Sequence, residues 1–321
     1  MSKAFASSGD TAPKVETLET VGDGIWALTA EGDPNVGAIE GEDFLVAFEA
    51  RATPLMARRW LEKLRQHTDK PVKYLVLSHY HAVRVLGAAA FEAEEIVASA
   101  ETKRLIGERG KEDWDVEFGR MPRLFDGYEE IPGLTWPTKT FDQHLSIDLG
   151  GTRGTRGTVE LSWLGNGHTS GDIVAYVPSQ KVLFAGDLVE NGSAVYTGDA
   201  YHQDWMTGTL DRVAALDVEV LVGGRGHIAH TRDESQRAIE LTRDFIRRMF
   251  TAVEKVKNAG SDIKDAYLAA RAELLPDYGG MPVFEHAMVF DVQRVWDELD
   301  GKRPAIWTVE RDHEVWDRLT K

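Results

Sequence analysis

The chain contains no cysteine. Disulfides, thiolate nucleophiles and thiolate-held metals are therefore excluded, and any metal must be taken by His, Asp or Glu. No apolar run approaches the ~18 residues needed to span a bilayer. The first dozen residues, Met1 to Ala12, are small and polar and lack the apolar core of a secretory leader. The expectation is a cytoplasmic protein with no membrane partner. Basic residues are also scarce, 37 against 53 acidic, for a formal charge of −16. Such a field repels phosphate backbones at long range, so nucleic acid is not an expected partner. Compositional bias is absent too, with 42% hydrophobic and 28% charged residues, values ordinary for a globular chain. Its 321 residues exceed the usual single-domain mode of about 100–150, which points to one large domain with an appendage or to two domains. Homo-oligomerisation stays open.

What is present is an alternation of two periodicities. Gly24–Thr29, Val36–Ile39 and Asp43–Phe48 are short runs of β-formers separated by Gly, Asp, Pro and Asn, as in an antiparallel meander. From Thr53 the apolar residues Met56, Trp60, Leu61 and Leu64 recur at helical spacing, with Thr53 as N-cap and Pro54 in the first turn. Val72–Leu77 reads as a buried strand, followed by helical stretches at 88–91 and 100–109 and by a long irregular loop over 111–140. A second β-rich half has strands at 159–164, 173–177, 182–185 and 218–222, with a helix around 205–216. Two meanders, each accompanied by helices, predict a four-layer αββα sandwich over 14–231. From Arg232 the chain turns helical, Ala238 to Val256 forming one apolar stripe that needs a partner surface, so 232–321 is expected as a helical C-terminal extension packed on the sandwich.

Four strand ends carry the polar residues that suggest chemistry: Ser78-His79-Tyr80-His81, Gly165 to Gly171 around His168, Gly186-Asp187, and Gly223 to His227. His79 and His81 are two apart, so on continuing strand geometry their rings leave the same face and can share a metal.

These motifs, with the meander and the helix before the His pair, resemble the metallo-β-lactamase superfamily over roughly residues 14–230. The resemblance implies an αββα sandwich and a metal held by His79, His81 and His168, with Asp187 as a further ligand. Where the family has His-x-His-x-Asp-His, this chain has Val83 and Arg84, and where it has Pro-Gly-His-Gly this chain has Gly223-Gly224-Arg225-Gly226. Three ligands of the second metal are therefore missing, and two are replaced by permanent cations. The expectation is one metal ion, Zn²⁺ with Fe²⁺ as the alternative, with Arg84 and Arg225 in the space of the other. His227, two residues beyond Arg225, is a candidate for metal contact or proton transfer. Asp172 is a second candidate for moving a proton, and Glu49 a support for the site loops.

A zinc ion on three histidines lowers the pKa of its water to about 7 and generates a hydroxide nucleophile at neutral pH. The leading expectation is thus hydrolysis of an ester-like, thioester, lactone or other acyl small molecule. Asp187, Arg84 and Arg225 would serve catalysis, the arginines by holding an anionic group of the substrate. The alternatives are a mononuclear Fe(II) dioxygenase of the persulfide dioxygenase type and a catalytically silent anion-binding protein. Tyr80, Tyr196, Tyr201 and Trp205 border the loops as candidate pocket walls. His286 is expected to pack in the tail, and His67, His144, His202, His230 and His313 to lie at the surface or cap helices.

Overall fold

The computed structural model describes residues 6–151 and 156–321; the first five residues of the polar leader lie outside them. The first half runs β1 (Thr17–Gly22), β2 (Ile25–Ala30), β3 (Asp33–Glu40), β4 (Leu45–Phe48), α1 (Pro54–Leu64), β5 (Val72–Val76), α2 (Ala82–Val85), β6 (Glu95–Ser99), α3 (Ala100–Arg120) and β7 (Lys139–Phe141). The second runs β8 (His144–Asp148), β9 (Thr158–Trp163), β10 (Ile173–Val177), β11 (Val182–Gly186), α4 (His202–Asp204), α5 (Leu210–Ala214) and β12 (Val220–Gly223), with a π-helical turn between α4 and α5. The tail contributes α6 (Arg232–Asn258), α7 (Ile263–Tyr278), α8 (Phe284–Leu299) and α9 (Val309–Thr320).

Among the described residues β1 to β7 form one sheet in sequence order, antiparallel from β1 to β4 and parallel from β4 to β7. The other sheet has the order β12-β11-β10-β9-β8, with only β11 and β12 parallel. The sheets meet face to face through Phe48, Val76 and Val97 on one side and Ala175, Phe184 and Val222 on the other, with the Phe48 and Phe184 rings 5.5 Å apart. These strands are apolar on both faces because both faces are covered. The outer face of the first sheet packs on α1 through Trp60 and Leu64, and the outer face of the second on α5 and α6 through Val213, Phe245 and Met249. Four layers result.

Thr53 caps α1 by accepting from Met56 N at 3.2 Å, with Pro54 next to it, so the local start signal operates as read. The expected loop over 111–140 is shorter: α3 continues to Arg120. Gly107 and Gly110 weaken its periodicity, but Leu105, Ile106, Val116 and Glu117 bury one side of the helix, and packing overrides propensity. The stripe predicted from Ala238 matches the buried face of α6 at Ala238, Phe245 and Met249, while Ala252 and Val256 are half-buried and Leu241 of the same repeat is exposed; the helix runs on to Asn258 before Gly260 turns at φ +79°. Among the described residues no helix is long and apolar enough to cross a membrane.

Candidate metal centre

All parallel strands of the first sheet end at one rim, and β5 delivers Ser78 to His81 there before α2 starts. Ser78 N donates to Glu49 Oε1 at 3.2 Å; Glu49 adopts φ +68°, which turns the chain sharply after β4 and puts its carboxylate beneath the histidine loop. His168 comes from the β9–β10 loop, whose shape is fixed by Asp172 accepting from Thr169 N at 2.6 Å and Thr169 Oγ1 at 3.0 Å. Asp187 follows β11 through Gly186, which sits in the left-handed region at φ +54°.

The three histidines converge. His79 Nε2 lies 3.1 Å from His81 Nδ1, and His168 Nε2 lies 3.0 Å from the same atom. The outward nitrogens have partners that define the tautomers: His168 Nδ1 donates to Tyr196 O at 2.9 Å, His81 Nε2 to Asp199 Oδ2 at 3.2 Å, and His79 Nδ1 meets Ser78 Oγ at 2.8 Å. The carbonyl and carboxylate acceptors place a proton on the outward nitrogens of His168 and His81, and in the neutral ring this leaves the inward nitrogen as a lone pair. Burial pushes His79 far below its usual pKa and His168 down to about 3. Burial acts the same way on His81, but Asp113, Asp199 and Glu117 behind it prevail and raise it to about 9. Three buried imidazole nitrogens within 4.8 Å of one another repel unless a cation lies between them. The donor set fits a divalent metal held by His79, His81 and His168, each oriented by an outer hydrogen bond.

Asp187 Oδ2 faces this cluster, 3.7 Å from His168 Nε2 and 3.9 Å from His79 Nε2. Arg84 Nη2 pairs with its other oxygen, and Arg225 Nη1 lies 2.8 Å from Oδ2. Burial disfavours the anion, yet Arg84 and Arg225 hold this carboxyl well below the usual range. Arg84 is fully buried and also donates to Gly224 O at 2.8 Å and Asn35 O at 3.1 Å. A side chain at Gly224 would strike both Asp187 and Arg84, which explains the glycine there. The expectation that Arg84 holds a substrate anion is therefore corrected: its terminal nitrogens are spent on protein acceptors. Arg225 is engaged by the protein as well, since Glu190 Oε1 accepts from its Nη1 at 3.2 Å. Burial raises Glu190 to about 8 and Glu49 to about 7 against the pull of the arginines.

His227 is exposed, its backbone tied to Asn191 and its ring beside Gly192. It lies outside the histidine cluster, because the Gly226 turn at φ +81° carries it to the surface. Asp172 is committed to Thr169. Tyr80 and Trp205 pack their rings against His81 and His168, at 4.5 and 6.0 Å, while Tyr201 joins the wall through its backbone bond to Gly167. His202 is buried between Glu298 and Thr197, each at 2.8 Å, rather than at the surface. Sequence reasoning missed Glu190, Asp199, Asp113 and Glu117. Only Glu190 had a local signal, three residues after Asp187; the others reach the site from α3 and a distant loop.

The model of the metallo-beta-lactamase superfamily matches residues 29–225, and the chain belongs to that superfamily. It is similar to the linear primary-alkylsulfatase of Pseudomonas sp. (strain ATCC 19151), 22% identical over 279 residues, which cover 75% of this chain and 50% of that protein. A metallo-beta-lactamase type 2 of Bacillus sp. (strain 170) is 26% identical over 227 residues, covering 65% and 78%. Among solved structures, a metallo-beta-lactamase from Pontibacter korlensis matches with TM-score 0.56 at 19% identity, covering 71% of this chain and 99% of that one. The stereoselective inverting sec-alkylsulfatase Pisa1 from Pseudomonas sp. matches with TM-score 0.68 at 16% identity, covering 88% and 50%. The chain thus spans about half the length of the alkylsulfatases it matches. At 88% coverage the alkylsulfatase likeness necessarily takes in part of the helical extension.

Proposed function

We propose that the protein is a metal-dependent hydrolase working with one cation, held by His79, His81 and His168, on a small-molecule substrate in the cytoplasm. The observation that carries this reading is the pair of guanidiniums astride Asp187: Arg84 and Arg225 occupy the neighbourhood in which the superfamily pattern would place a second ion. Zn²⁺ suits three neutral imidazoles, with Fe²⁺ as the alternative. When bound, such a cation supplies Lewis-acid activation of water and polarises an acyl or sulfuryl oxygen.

This chain's own residues set the rest. Asp187, kept ionised by its arginines, presents Oδ2 toward the histidines and either adds a ligand oxygen or accepts a hydrogen bond from the attacking water. It orients rather than removes protons at neutral pH, because its conjugate acid is too strong to form there. Tyr80, Tyr196 and Trp205 exclude bulk solvent around the imidazoles, which strengthens every charge interaction within. The substrate class is an ester-like or acyl compound, and the alkylsulfatase likeness favours an anionic one, a sulfate ester.

The test is turnover of metal-loaded protein on sulfate esters, carboxylic esters, thioesters, lactones and β-lactams. Hydrolysis of at least one class, abolished in His168→Ala, is expected. A fully loaded protein inert to all of them, or one that consumes O₂ instead, would refute the reading.

A further inference from the structure

One loop between β11 and α4 carries the outer hydrogen-bond partners of two metal histidines. Tyr196 O accepts from His168 Nδ1 at 2.9 Å, and three residues further on Asp199 Oδ2 accepts from His81 Nε2 at 3.2 Å. Residues 194–200 form neither helix nor strand, so no ladder of their own fixes these two acceptors. A buried backbone without regular structure must find its hydrogen bonds elsewhere.

The C-terminal extension supplies them. Although α8 is largely buried, it carries Asp291, Arg294 and Glu298 at spacings of three and four, on one face of the helix. This polar stripe follows the loop in register. Asp291 Oδ1 accepts from Thr197 N at 2.5 Å, Arg294 Nε donates to Ala200 O at 2.7 Å, and Glu298 Oε2 accepts from His202 N at 3.0 Å. Two more bonds complete the run: Pro282 O accepts from Ala194 N at 3.0 Å, and Trp307 Nε1 donates to Gly198 O at 3.1 Å.

The Asp291 bond bears directly on the metal ligands. Thr197 N and Tyr196 O belong to one planar peptide unit, whose N–H and C=O point in opposite directions. Holding the N–H on Asp291 therefore aims the C=O at His168 Nδ1, and a hydrogen bond on one end of the unit strengthens the acceptor at the other. Asp291 is fully buried, its Oδ2 has no hydrogen-bond partner among the described residues, and burial pushes its pKa well up. Packing alone would favour an apolar side chain at that position. Trp307 acts in the same way on the next peptide unit but one, since Gly198 O lies on the unit that leads into Asp199. We infer that the extension is a working part of the metal centre, with Asp291 and Trp307 as positioning residues that orient His168 through Tyr196 O and His81 through Asp199.

The inference rests on the reading that His79, His81 and His168 hold a cation, and Co²⁺ titration of the full-length protein separates the two. The parent should bind Co²⁺ with visible d–d absorption bands; a parent that binds none overturns both. Asp291→Leu fills the space and accepts nothing, and Trp307→Phe keeps a ring against Phe290 while losing the donor. Each should weaken Co²⁺ about tenfold, the low end of the ~10–100-fold that outer partners of ligands contribute, and should move the bands. Asp291→Asn keeps an acceptor for Thr197 N and should bind like the parent. Leu274→Ala, a cavity in the buried face of α7 that lowers stability by packing alone, should leave affinity and bands unchanged. Should Asp291→Leu not fold, Trp307→Phe decides with Leu274→Ala as its control. The inference is overturned, with the metal reading intact, if Asp291→Leu and Trp307→Phe keep the parent's affinity and bands, if Asp291→Asn is as weak as Asp291→Leu, or if Leu274→Ala changes affinity and bands as much as they do.

Discussion

Replacing Arg84 by Met should cost the protein several kcal/mol of stability. The guanidinium is fully buried, and its terminal nitrogens serve Asp187, Gly224 O and Asn35 O. Met fills a similar volume and donates nothing. Removing one partner of a buried ion pair costs about 3–5 kcal/mol, and each buried carbonyl left without its donor adds about 1 kcal/mol. Arg225 remains 2.8 Å from the other oxygen of Asp187, so the lower end of that range applies to the ion pair, about 3 kcal/mol, and with the two carbonyls the loss is about 5 kcal/mol in all. Against a total of ~5–15 kcal/mol for a folded protein the loss is easily measured. The assay is urea unfolding of Arg84→Met, Asp187→Leu and the double variant in excess chelator, so that metal binding does not enter. The double variant removes the stranded charge together with its partner and leaves Arg225 to Glu190. It should therefore be less destabilised than the sum of the singles by about 2 kcal/mol or more. Single effects that add to within ~0.5 kcal/mol would show that Arg84 and Asp187 do not act as a pair.

Two further outcomes follow from burial. His202 and His286 are pushed below their ordinary value of 6.5, in each case first by burial. The unfolded chain then binds their protons first, so the stability they carry is complete above pH 6.5 and is lost as the pH falls through their folded values; His286→Leu should flatten the decline of the urea midpoint below pH 6.5, and an unchanged slope would contradict the assignment. Truncation after Thr231 removes α6, whose buried face covers the second sheet, and deprives Arg120 of Asp312, its partner at 2.6 Å; the product should be insoluble or strongly destabilised, and a truncated protein that melts like the full chain would show the extension to be dispensable.

Much of the centre was legible because its parts are local. His79 and His81 share one strand end, Thr53-Pro54 starts a helix by nearest-neighbour chemistry, and Gly186-Asp187 needs only one positive φ. The arginine substitutions are legible as a pattern; that the terminal nitrogens of Arg84 are spent on protein acceptors is not. A count of charges along the chain could not see that Glu190 and Glu49 are buried beside Arg84 and Arg225, or that Asn35 and Gly224 turn their carbonyls onto Arg84. The outer hydrogen bond of His81 was equally invisible. Asp199 lies 118 residues away in sequence, and Asp113 and Glu117 come from the last turns of α3, which Pro122, Pro132 and Pro137 make read as part of a loop.

One cation per chain, with Arg84 and Arg225 in the place of another, defines this centre as proposed. Elemental analysis of purified protein measures this directly. About one metal ion per chain is expected, rising toward two only when Val83→Asp, Arg84→His and Arg225→His are combined, and staying near one in Arg84→His alone, because Arg225 still opposes a second cation beside Asp187. Two ions at full occupancy in the parent protein would contradict the arrangement of the arginines, and a protein that holds none after metal loading would contradict the histidine site itself.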